Sequence, residues 1–284
     1  MAKFVLSAFA DEYSPVFDEQ IEGLKANGIG YIEIRGVDGK SISELTEDEM
    51  KAAKAKLDAA GIKVSSIGSP VGKIRIDEDF EPHIPVIYNC IKAAHIFETK
   101  NIRMFSFYIP EGITHEESRD EVMKRLAKML EIAKAEDVIL CHENERGIYG
   151  DNAEHCLDIQ NEFGGEIKLI FDPANFIMDG FEAYPHAYEL LGDKIFYMHI
   201  KDATAEKCIC PAGKGVGGLQ AIVSDLNKKR DGELIMTVEP HLKVFAGFDS
   251  LEAGEKTKMP NTYATSRDSF KAACDAIKEV IANA

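Results

Sequence analysis

Residues 138–146 read V-I-L-C-H-E-N-E-R, an apolar run suited to a buried strand that breaks off into His142, Glu143, Asn144, Glu145 and Arg146. Carboxylates and imidazoles are costly to bury without partners, so such an ending calls for a counter-charge or a ligand. The pattern recurs downstream. K-L-I-F-D-P-A-N (168–175) ends in Asp172, I-F-Y-M-H-I-K-D (195–202) in His199 and Lys201, and L-I-M-T-V-E-P-H (234–241) in Glu239 and His241. Working outward, four more short apolar runs precede these: V-L-S-A-F (5–9), Y-I-E-I-R (31–35), K-V-S-S-I-G (63–68) and N-I-R-M-F-S-F-Y (101–108).

Amphipathic stretches separate the eight candidate strands. V-F-D-E-Q-I-E-G-L-K-A-N-G (16–28) begins after Pro15 and stops at Gly28, a favoured pairing of helix start and stop. Residues 45–61 carry Thr46 as N-cap, acids in the first turn and Gly61 past the end. In 115–135, Val122, Leu126, Met129, Leu130 and Ala133 recur at helical spacing. Two further helices are expected at 218–230 and 269–284. Strands alternating with helices imply parallel βαβ units. Eight of them in 284 residues predict an α/β fold of the (β/α)8 TIM barrel type. A doubly wound sheet would show G-x-G-x-x-G straight after a strand, whereas the nearest glycine cluster, A-G-K-G-V-G-G (212–218), follows a long loop. No Ser- or Pro-rich linker interrupts the chain, so one domain is expected over 1–284.

Composition narrows the function classes. With 45% hydrophobic and 29% charged residues the chain reads as soluble with a large core. Its net charge of −16, with no cluster of Lys and Arg, argues against a nucleic-acid groove. The apolar runs are too short to span a membrane, and the N-terminal one reads as a first strand rather than a signal peptide. Six scattered cysteines suit a reducing cytoplasm. Cys208-x-Cys210 has no second pair at zinc-site spacing and reads as two loop thiols.

In such a barrel the active site lies at the C-terminal strand ends. Two glutamates, one aspartate and one histidine meeting there could not all keep their ordinary charge states, because close carboxylates repel. One divalent cation removes the conflict. Three oxygens and one nitrogen suit Mn²⁺ first, or Mg²⁺, with Co²⁺ and Zn²⁺ also compatible.

Other residues are candidates for binding substrate. Arg35 could hold a hydroxyl or phosphate, or pair with Glu33 or another barrel carboxylate. Glu145 shares the face of Glu143 if the strand continues, and His241 lies two past Glu239 on the same face. Lys214 sits among glycines whose amides could cradle an anion, against the plainer reading of a flexible loop. Lys73 follows the third strand and could reach the same mouth, though a solvated loop lysine is the preferred reading, and His142 reads as packing.

The stretches L-C-H-E-N-E-R-G-I-Y-G-D, I-F-D-P-A-N-F, M-H-I-K-D-A and V-E-P-H resemble the xylose-isomerase-like TIM barrel superfamily, and within it the sugar phosphate isomerase/epimerase group. The resemblance implies that Glu143, Asp172, His199 and Glu239 hold the metal. It also implies that Glu143 and Glu239 are the catalytic acid and base, transferring a proton through a metal-stabilised enediolate of a small sugar or sugar phosphate. The chain departs from the ketose 3-epimerase pattern in two places. Asn175 stands where a histidine commonly contacts substrate, and Ala205 where an arginine is usual, which leaves Lys201 as the substitute cation. The superfamily keeps other activities open: a dehydratase of a cyclic polyol ketone (an inosose-type lyase), an apurinic-site endonuclease, or a non-catalytic sugar-binding barrel. The endonuclease needs more ligands than Phe9, Arg35, Ser69 and Tyr108 supply at the first four strand ends. A homo-oligomer is compatible with the group.

Overall fold

The computed structural model describes residues 1–245, 257–259 and 262–284. Eight parallel strands close into a barrel in sequence order, the last beside the first. They are β1 (Ala2–Ala8), β2 (Tyr31–Ile34), β3 (Lys63–Ile67), β4 (Asn101–Met104), β5 (Ile139–Glu143), β6 (Lys168–Phe171), β7 (Ile195–Ile200) and β8 (Gly232–Val238). The fold is a (β/α)8 TIM barrel.

Helices α1 (Phe17–Ala26), α2 (Glu47–Ala60), α3 (Ile84–Ile96), α4 (His115–Ala135), α5 (Ala153–Glu162), α6 (Pro173–Asp179), α7 (Tyr188–Leu191), α8 (Leu219–Lys229) and α9 (Ser266–Ala282) follow the strands. Local chemistry fixes several ends. Capping boxes start α2 at Thr46–Glu49, α4 at Thr114–Glu117 and α9 at Thr265–Asp268, each satisfying two otherwise orphaned amides. α1 has no side-chain cap of its own. The Phe17 amide donates instead to Asp38 Oδ1 at 2.8 Å, from the ribbon that follows β2. Gly28 and Gly61 take φ of 65° and 70° where α1 and α2 give way to strands.

Helices α3, α5, α6 and α7 were not expected from sequence, and two strands differ in extent by three residues or more. β4 stops at Met104 rather than running on to 108. Beyond it the Phe105 amide donates to Val71 O at 2.8 Å and the Tyr108 amide to Ile74 O at 2.9 Å, so the chain pairs with the β3–α3 loop instead of the barrel. Phe107, at φ 67°, breaks the pleat there. β1 starts at Ala2, three residues early, because Ala2 pairs with Gly232 across the closure.

Alternation along the strands builds the interior in layers. Cys141, Ile170 and Tyr197 form a small buried cluster of their own inside the barrel. Two residues further along lie Glu143, Asp172 and His199, so an apolar floor supports a polar layer. No described helix is long and apolar enough to cross a membrane.

Candidate functional site

The four acid and imidazole side chains converge. Glu143 ends β5, His199 is next to last in β7, and Asp172 and Glu239 immediately follow β6 and β8. All four are buried, and one donor atom from each lies within 4.8 Å of the others. His199 Nδ1 is 2.8 Å from Glu143 Oε1 and 3.6 Å from Glu239 Oε2. Lys201 Nζ is 3.0 Å from Asp172 Oδ2 and 3.1 Å from Glu239 Oε2.

The arrangement fits a metal. Asp172 is the N-cap of α6, where its Oδ1 accepts the Asn175 amide at 3.0 Å. Its buried Oδ2 receives no hydrogen bond of proper geometry, only the ionic contact with Lys201. His199 Nε2 faces Glu33 Oε2 at 3.1 Å. Glu33 also accepts Thr237 Oγ1 at 2.8 Å and the Tyr197 hydroxyl at 3.0 Å. With an ion bound, Nε2 would donate to Glu33, and Nδ1, which faces Glu143 and Glu239, would be the nitrogen free to coordinate. Glu143, Asp172, His199 and Glu239 are therefore the residues that would hold a divalent ion.

Without an ion the charges settle on one another. Burial opposes ionisation of Glu143, but His199 and Arg103 outweigh it and hold the carboxyl at about 2. Burial likewise opposes Glu239, and Lys201, His241, His199 and Arg35 keep it well below the usual carboxylate range. For Asp172 burial wins over Lys201, aided by Glu239 and Glu143, and pushes it up to about 7. Burial works against a charged His199, yet Glu143 and Glu33 raise it to about 10.

A pocket opens above this layer, lined among others by Arg35, Lys73, Arg103, Glu145, Asn175, Lys201, Glu239 and His241. Asn175 Nδ2 donates to Asn144 O at 2.8 Å and to Glu143 Oε1 at 3.3 Å. Arg35 lies over the Phe9 ring and pairs with Asp11, Glu12 and Glu239, not with Glu33. His241 lines the pocket with Nδ1 at 3.4 Å from Glu239 Oε1. Lys73 is not solvated as expected: the β3–α3 loop carries it to the pocket, 3.1 Å from Glu145 Oε2.

Lys214 is the correction in the other direction. It lies on the exposed surface, 3.9 Å from Glu279. The glycine amides around it do cradle an anion, but an internal one. Gly213 and Gly215 donate to Asp202 Oδ2 at 2.9 and 3.1 Å, and Gly217 to Oδ1 at 3.0 Å. His142 is packing as expected, bonded to Ser106 Oγ at 2.9 Å. Cys208 and Cys210 are free thiols.

Three residues of the site were not singled out as site residues from sequence. Arg103, within β4, meets Glu143 Oε2 at 3.2 Å. Glu33 orients His199. Glu12 accepts the His241 amide at 2.7 Å and is pushed by burial to about 8 against the pull of Arg35. The signal for the first two was present: a charged residue in the middle of an apolar strand, I-R-M and I-E-I.

No curated protein matches the chain significantly. Solved structures do match its fold. One is the IOLI protein with a bound zinc atom, at TM-score 0.73 and 17% identity, covering 98% of each chain. An L-ribulose 3-epimerase matches at TM-score 0.72 and 17% identity, covering 99% of this chain and 95% of that one. The probable 3-DHS dehydratase AsbF of Bacillus anthracis matches at 0.71 and 15%, covering 98% and 99%. At these identities the likeness establishes the fold alone. A family model for the xylose isomerase-like TIM barrel matches residues 21–253, most of the sequence, and the chain belongs to that family.

Proposed function

We propose that the chain is a divalent-metal-dependent isomerase or epimerase of a small sugar or sugar phosphate. The observation that carries this reading is the convergence of Glu143, Asp172, His199 and Glu239, all buried, at the ends of four consecutive strands. A divalent ion held there supplies a Lewis acid that makes a C–H beside a carbonyl more acidic.

The chain's own residues supply the rest. Glu143 and Glu239 come from strands separated by two others, and neighbouring cations favour their ionised forms. In turnover the ionised carboxylate takes the proton from carbon, while the other, which must arrive protonated, delivers its proton to the opposite face; this inverts the centre and exchanges the protonation states of the two groups. If the first carboxyl instead returns its proton to the neighbouring carbon, and the hydroxyl proton passes to the former carbonyl oxygen, the carbonyl moves. Lys201, beside Asp172 and Glu239, and Arg35, beside Glu239, offer donors to substrate oxygens. Asn175 Nδ2 fixes Glu143 from the flank.

The test follows proton exchange. The metal-loaded protein is incubated in D₂O with a panel of ketoses and ketose phosphates, and products are identified by NMR. Deuterium beside the carbonyl in a product that keeps every hydroxyl supports the proposal. Loss of a hydroxyl identifies a dehydratase instead, and no exchange on any member of the panel contradicts both.

A further inference from the structure

A second cluster of metal-type donors lies outside the barrel mouth, where α4, α5 and the loop that follows β5 meet. His115 is the first residue of α4, Asp151 belongs to the loop, and His155 lies in the first turn of α5. His115 Nε2 is 2.9 Å from Asp151 Oδ2, and His155 Nδ1 is 3.0 Å from Asp151 Oδ1. The imidazoles stack with centroids 4.4 Å apart and planes at 16°. One donor from each of the three residues lies within 4.8 Å of the others. The aspartate is buried, while the histidine side chains are 29% and 22% exposed, so an ion can reach the donors from solvent.

The local charge points the same way. Glu116 and Glu154 act electrostatically on these imidazoles. Among the described residues no Lys or Arg lies within ion-pair distance of Asp151, Glu116 or Glu154, and Glu154 meets only His186, at 2.7 Å. Three carboxylates thus share this corner without a fixed cation, in contrast to the barrel mouth, where Arg35, Arg103 and Lys201 stand beside the acids.

We propose that His115, Asp151 and His155 form a second metal site that takes a borderline transition ion such as Zn²⁺. Two imidazole nitrogens and one carboxylate oxygen suit Zn²⁺, Co²⁺ or Ni²⁺ rather than Mg²⁺ or Ca²⁺, and the exposed side leaves room for water as a fourth ligand. The ion ties α4 and α5 to residues 144–152, the loop that brings Glu145 to the pocket. The site is structural and independent of the reading given for the barrel mouth.

Equilibrium dialysis of the whole protein against Zn²⁺, followed by elemental analysis, tests it, with Co²⁺ absorption as a second readout. Wild type is expected to hold two ions per chain, and the His115→Gln/His155→Gln variant one. A barrel-mouth variant, Asp172→Asn/His199→Gln, is expected to keep one ion, with a Co²⁺ spectrum free of thiolate absorption. Asp151→Asn, which preserves side-chain volume, is expected to lose the same ion, and it serves as the test if the double histidine variant does not fold. Unchanged stoichiometry in folded His115→Gln/His155→Gln or Asp151→Asn protein would overturn the proposal. So would a barrel-mouth variant that binds no ion.

Discussion

Glu239 stands at the crossing of two networks. One oxygen meets Lys201 and faces His199, and the other meets Arg35 and faces His241. Replacing it with Gln keeps the shape and removes the charge, so turnover should fall by about 10²–10⁴-fold with the melting temperature little changed. Full activity in that variant would remove Glu239 from the acid–base pair. Glu33 touches no substrate position and acts through His199. Glu33→Gln should weaken divalent-metal affinity by about 10–100-fold, read by calorimetric titration, and unchanged affinity would leave Glu33 a purely structural acid. At this scale the sequence revealed the acids that end strands, because a polar residue after an apolar run is conspicuous. It hid Glu33 and Arg103 because within a strand only the closed barrel shows which face looks inward. It misplaced Lys73 and Lys214 because a loop's path is set by packing that no local pattern records.

Two loops show how such packing is built. The Asp202 carboxylate collects the amides of Ala203, Gly213, Gly215 and Gly217 and so holds the loop between β7 and α8. The close approach requires glycine: a Cβ on residue 215 would lie 2.2 Å from Ala203 O. Asp202→Ala should destabilise the fold by about 3 kcal/mol by leaving those amides unpaired, measured by urea unfolding, and a cost near zero would show the cradle to be dispensable. The β3–α3 loop is anchored by the Gly72 amide, which donates to His83 Nε2 at 2.8 Å. That bond needs the neutral ring, and burial, helped by Arg125, lowers His83 from 6.5 to about 4. The unfolded chain therefore binds a proton that the fold refuses. This stabilisation is complete above pH 6.5 and is lost as pH falls toward 4. The loss amounts to about 2 kcal/mol once solvent screening is allowed for. His83→Gln should flatten that part of the stability profile between pH 7 and 4.5, and an unchanged slope would assign the acid sensitivity elsewhere. Among the helices, α2, α4 and α9, which open on capping boxes, were legible, as were α1 and α8 from their apolar spacing. α3, α5, α6 and α7 were not, although α3 and α6 carry a proline at their start.

Across the whole molecule the candidate metal ligands and the arginines beside them come from opposite halves of the barrel, while Lys201 follows β7 and Glu33 lies in β2. β2 and β4, in the first half, bring Arg35 and Arg103, and β5 to β8 bring Glu143, Asp172, His199 and Glu239. The two arginines lie over the Phe9 ring between the halves and offset part of the negative charge while leaving the inner oxygens turned toward one another. The alternation of eight strands with helices was enough to foresee the closed barrel, since few other folds accommodate that pattern. The placing of the arginines was only half legible, because Arg35 stands just past its strand and Arg103 lies within one. The account rests on one ion held by the four converging side chains. Titration of Mn²⁺ followed by the electron paramagnetic resonance signal of the free ion measures this directly. Wild type should remove one equivalent from solution, and Asp172→Asn/His199→Gln should remove none. An undiminished signal with wild type, or equal uptake by the variant, would contradict the account.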